Sequence, residues 1–135
     1  MRSLFSTKYN AGAFNTALLI LRLVAAGIML KHGYEKLSNF DETVKNMITL
    51  FGISSKICAI LVIFAEFFCS LLLIAGLFTR FACIPLIITM LVAVIKVHNN
   101  DILGHGETAA LYCAAYITIF LVGPGKISVD GMIGK

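Results

Sequence analysis

Charged residues are scarce in this chain, and that scarcity decides its broad class. They make up 13% of the 135 residues, whereas soluble domains carry about 25%. Hydrophobic residues rise to 59%, against the usual ~45–50%. A water-soluble fold of this composition would lack the polar surface to cover itself. The composition therefore predicts a membrane protein in contact with the lipid bilayer, and the length predicts one domain, residues 1–135.

Several motifs that mark chemistry are also missing. There is no basic run and no interleaving of basic and aromatic residues, so the net charge of +4 does not indicate a nucleic-acid partner. No H-x₃-H, HExxH, CxxCH or glycine-rich phosphate loop occurs, so the sequence predicts no metal site and no evident cofactor. The cysteines lie inside apolar segments without a CxxC pair, which predicts packed free thiols at Cys58, Cys69, Cys83 and Cys113.

Four apolar segments approach the ~20 residues that a helix needs to cross ~30 Å of hydrocarbon. Backbone groups in lipid must bond within their own segment, so the segments are predicted to be helices rather than strands. Pro85 is expected in the first turn of the third, where a missing N–H is tolerated. The fold class is therefore an all-α membrane protein, a four-transmembrane-helix bundle with spans Asn15–Leu37, Ile57–Leu77, Phe81–Val97 and Glu107–Gly123.

The loop Ser38–Lys56, between the first two spans, has its own helical pattern. Apolar residues recur at helical spacing, and Asn39 or Asp41 can cap the start while Gly52 can end it. This pattern predicts a short amphipathic helix at the membrane interface, and the alternative is an irregular loop. The apolar positions are Val44, Met47, Ile48 and Phe51, opposite Lys45, Asn46 and Thr49.

In each predicted helix the ionisable residues share a face with small ones. Small residues let helices approach in lipid, and intramembrane charges face the bundle interior, so both rules select the same faces. These faces are Arg22, His32 and Lys36 with Ala25, Ala26, Met29 and Gly33; Glu66 with Ala59, Cys69, Ser70 and Leu73; Lys96 with Ala82, Pro85, Thr89 and Ala93; and Glu107 with Ala110, Ala114 and Thr118.

Glu66 is the only charge between Lys56 and Arg80, at a depth where an unpaired carboxylate would be very costly. We expect it to point into the bundle and to be held by Arg22 or His32. The helical rise predicts a funnel that is polar at the mouth opposite the termini and narrows to Glu66. The ligand or polar-core candidates are Arg22, His32, Lys36, Glu66, Lys96 and Glu107.

Structural explanations exist for the same residues. Arg22 and Glu66 can form an ion pair that sets helix register, and Lys96 with Glu107 can lock the last two helices together. His98 and His105 are expected to be solvated loop residues rather than metal ligands.

Three stretches stand out together: HGYEK at His32–Lys36, Glu66 followed by LLLIAGLFTR, and a helix opened by Glu107 that ends in GPGKISVD. With these stretches the chain resembles, over nearly its whole length, the DoxX family of small four-helix bacterial membrane proteins (DoxX/DoxD-like). Cys69-Ser70 departs from the glycines common after that glutamate. The resemblance implies a multi-pass bundle in the bacterial inner (plasma) membrane, with structural motif residues Gly33, Gly76, Thr79, Arg80, Gly123, Pro124, Gly125, Ser128 and Asp130.

The resemblance also links the chain to redox complexes and leaves three functions open. The first is an accessory or scaffold subunit of an inner-membrane complex, with a protein partner and a polar intrabundle pocket around Glu66. The second is an oxidoreductase subunit that binds quinone or a sulfur oxyanion. The third is a small transporter or proton path using Glu66, His32 and Glu107. Enzymatic activity and a homo-oligomer both stay open.

The membrane topology follows from the number of spans. Four spans place both termini on one side of the bilayer. Lys and Arg outside the mid-membrane region divide five to five between the two sides. The N-terminal tail with Arg2 and Lys8 therefore decides, and it favours cytoplasmic termini.

Overall fold

The computed structural model describes residues 6–47, 52–97 and 106–134. Over those ranges the chain forms helices joined by turns, with no β-strand. The helices are α1 Ala11–Ser38, α2 Phe40–Asn46, α3 Ser55–Ala75, α4 Thr79–Val92, α5 Glu107–Val122 and α6 Val129–Ile133.

Helix α1 extends beyond the apolar segment at both ends because polar groups cap it. The side chain of Asn10 accepts a hydrogen bond from the Ala13 N–H, which satisfies one of the free donors of the first turn. At the other end the Asn39 N–H donates to the Glu35 carbonyl, and Lys36 lies in the last turn, where a cation suits the helix dipole. The helix reaches 28 residues.

Helix α3 changes its winding in the middle. Ser54 caps its start by accepting from the Ile57 N–H, and the helix is α-helical to Ile63. Residues Phe64–Cys69 then form a π-helical turn before the α-helix resumes over Ser70–Ala75. Gly76 ends the helix with φ +72°, a left-handed conformation that glycine adopts without the cost of a Cβ.

Helix α4 begins earlier than expected. Its first residue is Thr79, so Pro85 lies inside the helix and the expectation of a first-turn proline is wrong. The Thr89 hydroxyl donates to the Pro85 carbonyl at 2.8 Å, and the helix continues past the proline. After Val92 the chain is π-helical over Ala93–Val97.

The core is shared by the four long helices. α4 packs against α5, and α1 packs against the π-helical turn and the last turns of α3. The four cysteines are all buried and free. Buried core residues include Ala25, Ala26 and Met29 of α1, Ala65, Cys69 and Leu73 of α3, Ala82, Cys83, Leu86 and Met90 of α4, and Cys113, Tyr116 and Ile119 of α5.

Helix length separates these four helices into two classes. By length and composition, Ala11–Ser38 and Ser55–Ala75 are long and apolar enough to cross a membrane. Thr79–Ile95 and Glu107–Val122 are shorter apolar helices. Asn15 near the start of α1 and Lys126 after α5 lie at the same end of the molecule, because the Lys126 N–H donates to Asn15 Oδ1 at 3.0 Å.

The segment between α1 and α3 contains a short helix, but not the whole predicted stripe. α2 packs against α1 and α3, with Phe40, Thr43 and Val44 half-buried. It ends at Asn46, and Met47 is extended (φ −76°, ψ 136°), so the expectation that Met47 belongs to the helix is wrong. Predictions on Ile48, Thr49, Phe51, His98 and His105 concern residues outside the described ranges.

Candidate functional site

The predicted inward faces of α1 and α3 are largely confirmed. Arg22, Ala25, Ala26, Met29 and Gly33 are buried on α1. On α3, Ala59, Glu66, Cys69, Ser70 and Leu73 are all buried.

Two residues of the predicted α1 face are not buried: the Lys36 side chain is 35% exposed, and His32 is exposed. At 100° per residue His32 falls about 80° from Arg22, at the edge of the buried stripe, whereas Gly33 falls about 20° from it. The placement of His32 in the interior is therefore wrong.

The predicted face of α5 is also wrong. Glu107, Ala114 and Thr118 are exposed. The opposite face is buried instead and consists of Ala109, Cys113, Tyr116 and Ile119. Small size did not select the packing face here, because the fully buried Tyr116 fills the space between helices and its hydroxyl donates to the Ala25 carbonyl at 3.3 Å. A large aromatic with one buried polar atom satisfies both packing and hydrogen bonding.

An ion pair lies inside the described structure between α1 and α3. Lys36 Nζ is 2.5 Å from Glu66 Oε2. The Glu66 side chain is 4% exposed, whereas that of Lys36 is 35% exposed. A carboxylate this deeply buried requires a partner, and Lys36 supplies the opposite charge from a position that still reaches solvent.

The close approach of α1 to α3 places Glu66 within reach of Lys36. A Cβ on Gly33 would lie 2.6 Å from the Phe67 backbone nitrogen and 2.7 Å from the Glu66 carbonyl carbon. Only a residue without a side chain permits that contact. Glu66 is therefore level with Gly33, one turn from Lys36, and it lies in the π-helical turn Phe64–Cys69. Single π-helical turns inside α-helices occur frequently at functional sites.

Arg22 occupies a different level of the interior and does not pair with Glu66. Its Nε donates to the Leu73 carbonyl at 2.8 Å, and its Nη1 donates to the Pro124 carbonyl at 2.6 Å. Nη2 lies 3.4 Å from the Ile74 carbonyl. Arg22 precedes Gly33 by eleven residues, about 16 Å of helix axis, so its side chain cannot reach Glu66. The expectation that Arg22 or His32 holds Glu66 is wrong, because the partner is Lys36.

A cavity of about 360 Å³ opens where α1 meets α2. Lys36 lines it and connects it to Glu66, which is not among its lining residues. Glu107 and His32 form no hydrogen bond or ion pair with Glu66 in the described structure. Lys96 lies in the π-helical end of α4, and its side chain is outside the described part. The cavity is lined by His32, Glu35, Lys36, Asn39, Glu42, Thr43, Asn46 and Met47.

At the other end, the motif residues lock the α3–α4 hairpin to the segment after α5. Asp130 Oδ1 accepts from the Phe78 N–H and Oδ2 from the Thr79 N–H, each at 3.0 Å, so Asp130 caps α4. The Asp130 N–H donates to the Gly76 carbonyl at 2.9 Å. A Cβ on Gly76 would meet the Ser128 Cβ at 2.4 Å, which explains why a glycine turns the chain here.

Some of these contacts had no signal in the sequence. The π-helical turns break the 100° periodicity on which the face assignments rest, and nothing in the pattern marks them. Asn15 and Tyr116, whose polar atoms join distant segments, sit in apolar runs like many residues without that role. Within the described ranges no group of three or more His, Cys, Asp or Glu side chains could hold a metal ion.

Comparison with known proteins indicates the family independently of the site geometry. Residues 17–99 match the family model described as DoxX. Over 122 residues the chain is 30% identical to the Inner membrane protein YphA of Escherichia coli (strain K12), covering 84% of this chain and 87% of that protein. No solved structure matches the chain.

Proposed function

Since this chain belongs to the DoxX family, we propose that it is a multi-pass protein of the bacterial inner membrane and an accessory or scaffold subunit of a membrane complex. The similar protein of Escherichia coli is named an inner membrane protein, which supports the location. The family is one of membrane proteins, and the two long apolar helices agree with that placement.

All four long helices are proposed to cross the bilayer. α5 has 16 residues, which cover about 24 Å of the ~30 Å hydrocarbon core. α4 and α5 pack into the same core as α1 and α3, and side chains on their outer faces are large and apolar, such as Ile88, Leu111 and Leu121. A shared core with lipid-compatible outer faces supports four parallel or antiparallel spans rather than two.

One observation supports the scaffold function. The buried charged side chains of the described structure, Arg22 and Glu66, bond to other parts of the same chain. Arg22 joins α1 to the end of α3 and to Pro124, and Glu66 joins α3 to α1. Such cross-links fix the arrangement of helices and leave the outer surface available for a partner.

Purification in mild detergent followed by native mass spectrometry tests this proposal. We expect a second protein to co-purify at fixed stoichiometry with both the wild-type chain and Glu66→Gln, because the amide keeps the fold and the outer surface. Monomers or homo-oligomers alone, without any other protein under the mildest conditions, would contradict the scaffold function.

A second candidate is a quinone-binding oxidoreductase subunit, favoured by the connection from the open cavity through Lys36 to Glu66. The cavity is also lined by Glu35 and Glu42, which outnumber Lys36, so a neutral quinone suits it better than a sulfur oxyanion. Here Glu66→Gln separates the candidates. It would release a co-purified quinone if the pair forms part of the ligand site, and it would leave the protein partner bound if the pair is only structural.

A further inference from the structure

A larger groove lies at the opposite end of the molecule, between the start of α4 and the segment that follows α5. Its volume is about 670 Å³. Asn15 and Lys126, which lie towards the two ends of the chain, also line it, so we call it the terminal groove. The groove is distinct from the Lys36–Glu66 pair and from the cavity beside α2, and neither candidate function uses it.

Two cations among the described residues line the terminal groove. Arg80 and Lys126 are both exposed, and neither forms a side-chain hydrogen bond or ion pair with another described residue. Gly123, with φ +99°, lies against the guanidinium, and a Cβ there would stand 3.3 Å from Nη2. The backbone at Gly123 thus approaches the Arg80 guanidinium closely.

Asp130 is the one carboxylate among the described residues of the lining, and it does not cancel the two cations. Its oxygens accept hydrogen bonds from the Phe78 and Thr79 N–H groups. Arg80 and Lys126 against Asp130 give this described lining a net charge of +1. The groove therefore favours an anion.

Aromatic side chains make the groove amphipathic. Phe78 and Phe81 line it and are 58% and 68% exposed. Cations beside exposed apolar rings suit the membrane interface, where headgroups meet hydrocarbon. A free inorganic ion would use the cations but not these two rings.

We propose that the terminal groove binds an anionic glycerophospholipid. Arg80 and Lys126 contact the phosphate, and the rings of Phe78 and Phe81 pack against the acyl chains near the glycerol. The site holds the lipid at the junction of the α3–α4 hairpin with the segment after α5.

Native mass spectrometry of the purified protein with defined lipids tests the site. The protein is released from micelles that contain phosphatidylglycerol or phosphatidylethanolamine, and retained lipid is counted. We expect preferential retention of phosphatidylglycerol by the wild-type protein. In Arg80→Gln/Lys126→Gln the amount of retained phosphatidylglycerol should fall by about tenfold or more, since both cations that attract the anionic headgroup are removed. The matched control is Lys31→Gln/Lys45→Gln, which removes two exposed lysines at the other end.

Two results would overturn the proposal. One is equal retention in the Arg80/Lys126 variant and in its lysine control. The other is displacement of the retained lipid by inorganic phosphate or glycerol 3-phosphate at micromolar concentration, because it would identify a free phosphate site that does not need the acyl chains.

Discussion

The ammonium group of Lys36 pairs with the carboxylate of Glu66, 30 positions away in sequence, and joins the last turns of α1 to the π-helical turn of α3. Arg22 makes a second polar connection between the same two helices at the opposite end, through the Leu73 carbonyl. Apolar residues such as Ala26 and Met29 fill the interior between them. The two connections therefore act as separate ties at the two ends of the α1–α3 interface.

The first prediction concerns the Lys36–Glu66 pair. Glu66→Leu should lower the free energy of unfolding by about 2 kcal/mol, less than the 3–5 kcal/mol typical of a fully buried pair, because the half-exposed Lys36 can turn toward water. Glu66→Gln should cost less, since the amide still accepts a hydrogen bond. Lys36→Met added to Glu66→Leu should recover part of the loss, as measured by reversible unfolding in mixed micelles.

A double-mutant cycle tests whether Glu66 interacts with Lys36 or with Arg22. The coupling energy of Glu66 should be large with Lys36 and close to zero with Arg22, whose donors go to carbonyl oxygens. Coupling of Glu66 to Arg22 that equals its coupling to Lys36 would contradict the observed pairing.

The second prediction concerns Arg22 itself. Arg22→Leu should destabilise the protein by about 3 kcal/mol or more, because it removes charge-assisted hydrogen bonds to the Leu73 and Pro124 carbonyls, and the Leu73 carbonyl then keeps only the Gly76 N–H. Arg22→Lys should lose most of this energy as well, since an ammonium cannot reproduce the planar fork that reaches α3 and Pro124 together. Urea or SDS titration followed by circular dichroism measures both losses. If Arg22→Lys were as stable as the wild type, a positive charge at position 22 would be sufficient for stability, and the planar fork would not be needed.

The paired residues show what a sequence can and cannot predict here. Composition and apolar run length predicted helices and a membrane setting, and the small residues around Glu66 predicted its burial. The partner of Glu66 was not predictable, because it depends on the level at which α1 and α3 touch. That level is set by Gly33 against the backbone of Phe67, a contact between residues 34 positions apart that no local pattern encodes.

The predicted inward face of α5 is wrong for a related reason. It is apolar all round, so its pattern contains no face that lipid would reject, and burial is decided by shape. Tyr116 fits the space beside Ala25 and turns its own side of the helix inward. Glu107, near the start of the helix, then faces outward.

The third prediction uses two glycines of α1 as a matched pair. Gly33→Ala should destabilise the protein by about 2 kcal/mol or more, because the new Cβ would lie within 2.9 Å of three backbone atoms of α3, and backbone cannot move aside cheaply. Gly27→Ala should be neutral or stabilising by up to about 1 kcal/mol, since a Cβ there meets nothing within 4 Å and alanine favours the helix. Thermal unfolding of the two variants side by side makes the comparison. Equal effects at both positions would show that α1 and α3 do not meet at Gly33.

The last prediction fixes the orientation in the membrane. Thr7, Glu42 and Met132 are exposed, whereas all four native cysteines are buried, so single cysteines introduced at these positions can be labelled over a low background. With a membrane-impermeant maleimide, intact cells should label Glu42→Cys, and Thr7→Cys and Met132→Cys should react only after permeabilisation, because the termini are proposed to be cytoplasmic. The unsubstituted chain is the control for the native thiols. Labelling of Thr7→Cys and Met132→Cys from outside, with Glu42→Cys protected, would reverse the orientation and place the cavity beside α2 inside the cell. Labelling of Thr7→Cys and Met132→Cys from opposite sides would require an odd number of spans, and the four-span arrangement would then be wrong.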